Sequence, residues 1–387
     1  MLSLEVPLTQ HLPRTLAFGP GVMDRLVGDG VLSGGVGAKR VTAVVDAAIK
    51  LEGIAGSLRA GGYELSTWVA PAREPLMEDV RAAVSFAKAQ GAQAILGIGG
   101  GSAMDLAKLV AVLASGDADV RGIVGIDKVP GRSMPLVCVP TTAGTGSEVS
   151  PNAIVLDEQE QLKMGVISRY LVPDAAYVDP LLTLSVPRGV TASTGVDALT
   201  HCIEAYTSKF SHPLIDIYAL EGIRLIAGNL LGVLKIPGDV AGRSAVLMGS
   251  LYGGMCLGPV NTGAVHALAY PLGSVFHVAH GVSNAVLLAE VMEFNLPEAP
   301  ERYADVAVAM GAPVGANAEE TARLGIAFLR KFVSDCGIPK GLKDLNVPES
   351  AIESMADGAM KVTRLLDRNV RRVTREDAVA IYRAVYA

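Results

Sequence analysis

Asp197 and His201 stand four residues apart in Gly195-Val196-Asp197-Ala198-Leu199-Thr200-His201-Cys202-Ile203-Glu204, a segment rich in helix formers. On a helix that spacing stacks both side chains on one face, about a turn apart. A carboxylate oxygen and an imidazole nitrogen aimed at one point are half of a first-row metal site. A plain helix with one buried, satisfied histidine would use the same two residues. The rest of the chain favours the metal. Of its six histidines, His266, His277 and His280 lie between Ser244 and Ala289, a stretch without a single Asp, Glu, Lys or Arg. Imidazoles buried among Ala, Val and Leu are unfavourable unless partnered. An ion shared with Asp197 and His201 would partner them. Three histidines and a carboxylate suit Zn2+ or Fe2+ and leave room for a substrate oxygen.

Two further constellations suit a nucleotide. Gly99-Gly100-Gly101-Ser102-Ala103-Met104-Asp105-Leu106-Ala107-Lys108 follows a strand pattern and opens a helix, the setting in which free backbone N–H groups hold a phosphate. It departs from the GxGxxG fingerprint and comes after about three strand–helix units, so it implies a variant doubly wound sheet. A tight turn needing positive φ is the other use of such glycines. Pro140-Thr141-Thr142-Ala143-Gly144-Thr145-Gly146-Ser147-Glu148-Val149-Ser150 adds hydroxyls after the fourth strand, at the carboxyl end of the sheet where open α/β folds bind ligands. No P-loop GK[ST] is present. Asp46, closing the first strand, suits a ribose hydroxyl and repels a 2′-phosphate, although an exposed turn would also use an Asp.

The elements that must position these residues fall into two sets. Strand patterns at 40–45, 65–69, 93–98 and 134–139 alternate with helical patterns at 49–60, 76–90 and 102–113, which predicts a mostly parallel, helix-covered sheet. Beyond Val186-Pro187 only helical patterns continue, at 190–208, 213–235, 240–257, 262–272, 282–295, 317–336 and 374–386. The expectation is an α/β domain over 1–187 with a Rossmann-like, doubly wound sheet, followed by an all-α domain over 188–387. Half of the 387 residues are hydrophobic and 19% are charged, which excludes general disorder. A net charge of −6 without a long basic run gives nucleic acid no footprint. The charge-free stretch is interrupted by Gly, Pro, Asn and His, so no membrane span is expected there. Four dispersed cysteines and an N-terminus without a signal-length apolar core lead us to expect a cytoplasmic protein.

With these motifs together, the chain resembles the iron-containing (group III, metal-dependent) alcohol dehydrogenases. GGGSAMDLAK, PTTAGTGSEVSPNA, VDPLLTLSVP, STGVDALTHCIEAY, GAVHALAYPLG and HVAHGVSNA carry the resemblance over nearly the whole length. It implies a dehydroquinate synthase-like architecture, a homodimer, and metal ligands at Asp197, His201, His266 and His280. It also implies cofactor contacts at Asp46, Gly100, Gly101, Ser102, Asp105, Thr141, Thr142, Ser150 and Lys163, and a substrate pocket touching Asn152 and Leu257. Three departures stand out. Tyr270 replaces a histidine that many members carry, leaving Tyr270 and His277 as proton-relay candidates. Glu74-Pro75 replaces the usual Asn-Pro, and Ala47-Ala48-Ile49 replaces the usual Gly-Leu after Asp46.

The expected chemistry is reversible hydride transfer between a small alcohol or its aldehyde and NAD, with NADP disfavoured by Asp46. The metal, Fe2+ before Zn2+, would serve as Lewis acid. A hydroxyacid dehydrogenase or a hydroxyacid–oxoacid transhydrogenase of the 4-hydroxybutyrate type is the nearest alternative, but the charge-free stretch offers no cation for a carboxylate. A cofactor-free metal hydrolase would leave the glycine turn without a ligand, and a non-enzymatic sensor would bind both ligands without turnover.

Overall fold

A computed structural model describes residues 5–34, 37–159 and 162–386. The chain divides into two compact units. One comprises His11–Thr142 and Gly146–Ser185; the other comprises the stretch ending at Gln10, Ala143–Thr145, and the chain from Val186 onward. The division thus falls within two residues of the Val186-Pro187 join, with two short segments of the first half grouping with the helices.

The first unit is an α/β layer structure. Its elements are β1 (Thr15–Phe18), β2 (Arg40–Asp46), α1 (Glu52–Ala60), β3 (Glu64–Ala70), α2 (Met77–Ala89), β4 (Ala94–Gly99), α3 (Gly101–Leu113), β5 (Gly125–Ile126), β6 (Leu136–Pro140), β7 (Asn152–Asp157), β8 (Leu162–Ile167) and β9 (Ala175–Val178). Six strands pair in the order β1-β9-β6-β4-β2-β3, every pairing parallel. The central strands β4 and β6 are buried along their length, as a sheet covered on both faces requires. The expected strands and helices of the first half are all present. The structure adds β1 and β9, four residues each and too short for a periodic signal, and a second sheet in the order β5-β8-β7.

That second sheet is tied to α3 by charged side chains. Lys108, fully buried, donates from Nζ to the carbonyls of Ser150 and Asn152, each at 2.9 Å. One turn earlier, Asp105 accepts from the Ser147 hydroxyl at 2.5 Å and from the Ile154 N–H at 2.9 Å. Burial pushes the Lys108 ammonium down and the Asp105 carboxyl up, each opposed by the charge of the other.

The second unit is helical: α4 (Arg188–Thr207), α5 (Pro213–Lys235), α6 (Val240–Leu257), α7 (Ala264–Phe276), α8 (His280–Asn295), α9 (Pro300–Met310), α10 (Ala318–Asp335), α11 (Ile352–Ala359), α12 (Thr363–Leu366) and α13 (Arg375–Val385). α4 is buried on every side from Thr191 to Thr207 except at Thr194, so it forms the axis of the unit. Glycines bring its neighbours close. A Cβ on Gly222 of α5 would lie 2.5 Å from Cys202 Sγ, and one on Gly253 of α6 would lie 3.3 Å from His201 Cβ. α5 has the length and hydropathy of a membrane span, but it packs against α4 and α6.

Replacing Lys108 with Met should strand the Ser150 and Asn152 carbonyls in a buried setting. Net of the relieved desolvation, a loss of about 2 kcal/mol is expected, read as a lower urea midpoint. A midpoint unchanged or raised would show that the tie carries no stability.

Candidate active site

α4 presents Asp197, His201 and Glu204 at positions one turn apart, α7 presents His266 in its first turn, and α8 begins with His280. These helices bring four donor atoms within 4.8 Å of one another. Asp197 Oδ1 lies 3.8 Å from His201 Nε2, 3.6 Å from His266 Nε2 and 3.7 Å from His280 Nε2. An ion with bonds of about 2.0–2.2 Å separates tetrahedral ligand atoms by about 3.3–3.6 Å, so the donor set fits a divalent metal. Asp197, His201 and His266 are buried, whereas His280 is half-buried and marks the side open to solvent.

The charge of the cluster is set by contact. Burial alone would raise the Asp197 carboxyl, but His201, His280 and His266 overcome it and hold the group well below the usual range. Burial pushes His201 down to about 4, against the pull of Asp197. Burial also opposes charge on His266, yet Glu204 and Asp197 raise it to about 9. The decisive partner is Glu204. Its Oε2 lies 2.5 Å from His266 Nδ1, and its Oε1 accepts the Val265 N–H at 2.7 Å. One carboxylate thus caps the N-terminus of α7 and holds a proton of His266 on Nδ1, so that Nε2 is the nitrogen a metal would take in place of its proton.

The approach of α8 depends on Gly281. A Cβ there would lie 2.4 Å from the Ser193 carbonyl of α4, so the residue after His280 has to be glycine for that imidazole to reach the others.

In the α/β unit, Asp46, Gly100, Gly101, Ser102, Thr141 and Thr142 lie at or just beyond the carboxyl ends of β2, β4 and β6, whereas Asp105, Ser150 and Lys163 lie on α3, before β7 and in β8. Gly99 has φ +152°, and a Cβ on it would sit 2.7 Å from Asp46 Cβ and 2.8 Å from Ala103 Cβ. The glycine turn therefore presses directly on Asp46, whose Oδ1 accepts the Ala48 N–H at 2.9 Å. The Thr141 N–H donates to the Gly99 carbonyl at 2.9 Å, and Thr142 Oγ1 faces Gly100. Gly100 caps α3 without a side-chain hydrogen bond, leaving Gly101 and Ser102 in its first turn with N–H groups suited to a pyrophosphate. Ser150 is buried and accepts from Lys108, while Lys163 pairs with Glu74 at 2.5 Å. The Glu74 departure thus acts on one of the expected contacts. Asn152 begins β7, its side-chain oxygen buried without a hydrogen-bond partner, and Leu257 ends α6, buried.

Comparison with known proteins follows the same lines. The family model described as iron-containing alcohol dehydrogenase matches residues 13–180, and its C-terminal counterpart, the Fe-containing alcohol dehydrogenase family, matches 191–386. This chain belongs to the iron-containing alcohol dehydrogenase family. It is an oxidoreductase acting on CH–OH groups. Among its relatives, a long-chain-alcohol dehydrogenase of Geobacillus thermodenitrificans is 40% identical over 377 residues, covering 95% of this chain and 94% of the relative. A 1,3-propanediol dehydrogenase of Klebsiella pneumoniae is 34% identical over 382 residues, covering 97% and 98%. A crystallised 1,3-propanediol oxidoreductase superposes with a TM-score of 0.94 at 32% identity, over 98% of this chain and all of the other.

Within this iron-containing alcohol dehydrogenase the two relay candidates part company. Tyr270 is buried one turn after His266, packed among Ala267, Val362 and Leu365. His277 is exposed and closes α7 with φ 56°. Glu204, Asn284 and Glu148 were not anticipated. Glu204 lies three residues beyond His201 and Asn284 four beyond His280, both helical spacings that could have revealed them. Glu148 lies in the threonine-rich loop, fully enclosed, with Oε1 lacking a hydrogen-bond partner. Burial is the main cause that pushes its carboxyl up to about 7.

Two outcomes follow. Glu204→Gln keeps the shape but loses the charge that orients His266, and a ten- to hundredfold loss of metal affinity is expected from chelator competition. Undiminished affinity would show that His266 needs no such partner. For Glu148, the folded carboxyl keeps its proton up to about 7 while the unfolded one loses it near 4.5. Its contribution is therefore intact below pH 4.5 and is lost as pH rises to 7, on the order of 3 kcal/mol. Glu148→Gln should match the wild type at pH 4.5 and exceed it at pH 8 in denaturant titrations. Equal stability at both pH values would refute the burial argument.

Proposed function

We propose that the protein catalyses the reversible, NAD-linked oxidation of small uncharged alcohols to aldehydes, as a cytoplasmic homodimer using a divalent metal, with Fe2+ the first choice. The observation that carries the reading is the Asp197 oxygen set 3.6 to 3.8 Å from three imidazole nitrogens in a buried helical interior. A metal held by Asp197, His201, His266 and His280 supplies Lewis acidity toward a substrate oxygen. NAD bound at the carboxyl edge of the main sheet supplies the hydride acceptor. The chain's own contribution is to hold those partners. Glu204 keeps His266 in the tautomer that faces the metal, Gly99–Gly101 and α3 offer N–H groups to a pyrophosphate, and Asp46 offers its carboxylate to ribose hydroxyls.

The class of substrate follows from charge. No Lys or Arg occurs between Ser244 and Ala289, which includes all of α7 and the start of α8. The nearest preceding cation, Arg243, is buried and donates to the Pro237 carbonyl at 2.8 Å. A substrate carboxylate would therefore find no counter-ion on the helices that carry His266 and His280, which favours neutral alcohols over hydroxyacids. The named activities of the relatives, on a long-chain alcohol and on 1,3-propanediol, support the same class.

The test is NADH formation across linear alcohols, propanediols and 4-hydroxybutyrate after reconstitution with Fe2+ and Zn2+ separately. Turnover of neutral alcohols is expected to exceed that of 4-hydroxybutyrate at least tenfold; the reverse order would establish the hydroxyacid alternative. Asp46→Gly should raise kcat/KM with NADP relative to NAD at least tenfold by removing the like charge. An unchanged ratio would assign the discrimination to another residue.

A further inference from the structure

We infer that Asn284 is a positioning residue of the metal centre, holding the Asp197 carboxylate in register with the imidazoles. Asn284 is fully buried on α8, one turn after His280. Its Nδ2 lies 2.6 Å from Asp197 Oδ1, 3.1 Å from His266 Nε2 and 3.3 Å from His280 Nε2. The bond compatible with a bound metal is the one to Asp197, whose oxygen keeps a second lone pair, whereas the single Nε2 lone pairs of His266 and His280 are the ones a metal would take. The nitrogen, not the oxygen, has to face Asp197, because two oxygens 2.6 Å apart without a shared proton would repel. The opposite end of the carboxamide is buried with no hydrogen-bond partner on Oδ1. A side chain that leaves its acceptor unsatisfied in the interior is fixed there by what its donor end gains.

The gain is directional. Asp197 reaches the cluster from α4, His266 from α7 and His280 from α8. Glu204 orients only His266. Asp197 needs another group to choose which oxygen and which rotamer face the imidazoles, and the short Asn284 N–H bond makes that choice. An outer partner of this kind governs metal affinity without itself being a ligand.

The inference rests on the reading of Asp197, His201, His266 and His280 as metal ligands, and Co2+ separates the two. Full-length wild type and Asn284→Ala are stripped of metal and titrated with Co2+ against a chelator, with the d–d absorption bands of the bound form recorded. The expected result is a ten- to hundredfold weaker Co2+ site in the variant, with bands displaced from those of wild type. A loss smaller than tenfold, or a larger one with wild-type bands, overturns the proposal. Wild type that binds no Co2+ overturns the ligand reading itself. Should the alanine variant fail to fold, Asn284→Ser fills more of the space and remains polar, yet its hydroxyl stops a bond short of Asp197, and the same loss is expected.

Discussion

The helical unit depends on a problem of buried charge. α4 places two carboxylates, Asp197 and Glu204, on one face inside a helix bundle, and each carboxylate is almost wholly removed from water. Isolated ions in such a place cost several kcal/mol each. Three imidazoles and an asparagine amide meet them, but those groups cannot cancel two negative charges and keep the imidazole nitrogens free as donors. A divalent cation among Asp197, His201, His266 and His280 would bring the sum of its own charge and the two carboxylates to zero. The glycines that let α5, α6 and α8 approach α4 make the same geometry sterically possible.

The α/β unit solves a related problem at the carboxyl edge of its sheet. Asp105 and Lys108 turn inward to secure β7 and the threonine-rich loop, and Glu148 is enclosed in the same loop. Holding a loop by buried ionic and hydrogen-bonded ties fixes its backbone N–H groups in advance, and binding then costs less ordering entropy. Asp46, Gly99 and Thr141 are located by their own contacts, the close approach of Gly99 to Asp46 and the Thr141 N–H bond to the Gly99 carbonyl, beside the pyrophosphate-suited end of α3.

Membership in the iron-containing alcohol dehydrogenases accounts for both arrangements, and the departures show where this chain has its own chemistry. Glu74, in place of the usual Asn, forms an ion pair with Lys163 and so changes the charge presented beside the expected cofactor contacts. Tyr270 fills the position one turn after His266 with a ring packed against Val362 and Leu365. An imidazole there would offer a proton acceptor near neutral pH; a phenol does not.

The donor types of the cluster were legible because helical periodicity and charge depletion are local properties of a sequence. Asp197 with His201, and histidines in a stretch without counter-ions, point to a shared cation before any contact is known. The parallel sheet was legible for the same reason, since its longer strands and helices each carry their own period. β1, β5 and β9 were not, because strands of two to four residues owe their existence to partners distant in sequence, and β7 and β8, which pair as a hairpin outside the main sheet, carry no alternation with helices to reveal them. Glu204 and Asn284 show the limit most clearly. Their helical spacing placed them near the ligands, but many polar residues share such spacings, and only the packing of α4, α7 and α8 decides which ones touch. The resemblance implied His280 rather than His277, and packing supplies the physical reason: Gly281 lets α8 close on Ser193 and carries His280 inward, while His277 ends α7 exposed. The sequence by itself determined the donor chemistry and the class of fold. Tertiary structure alone decided the partners of those donors, because hydrogen bonds and van der Waals exclusion act over a few ångströms between residues that the chain separates by dozens.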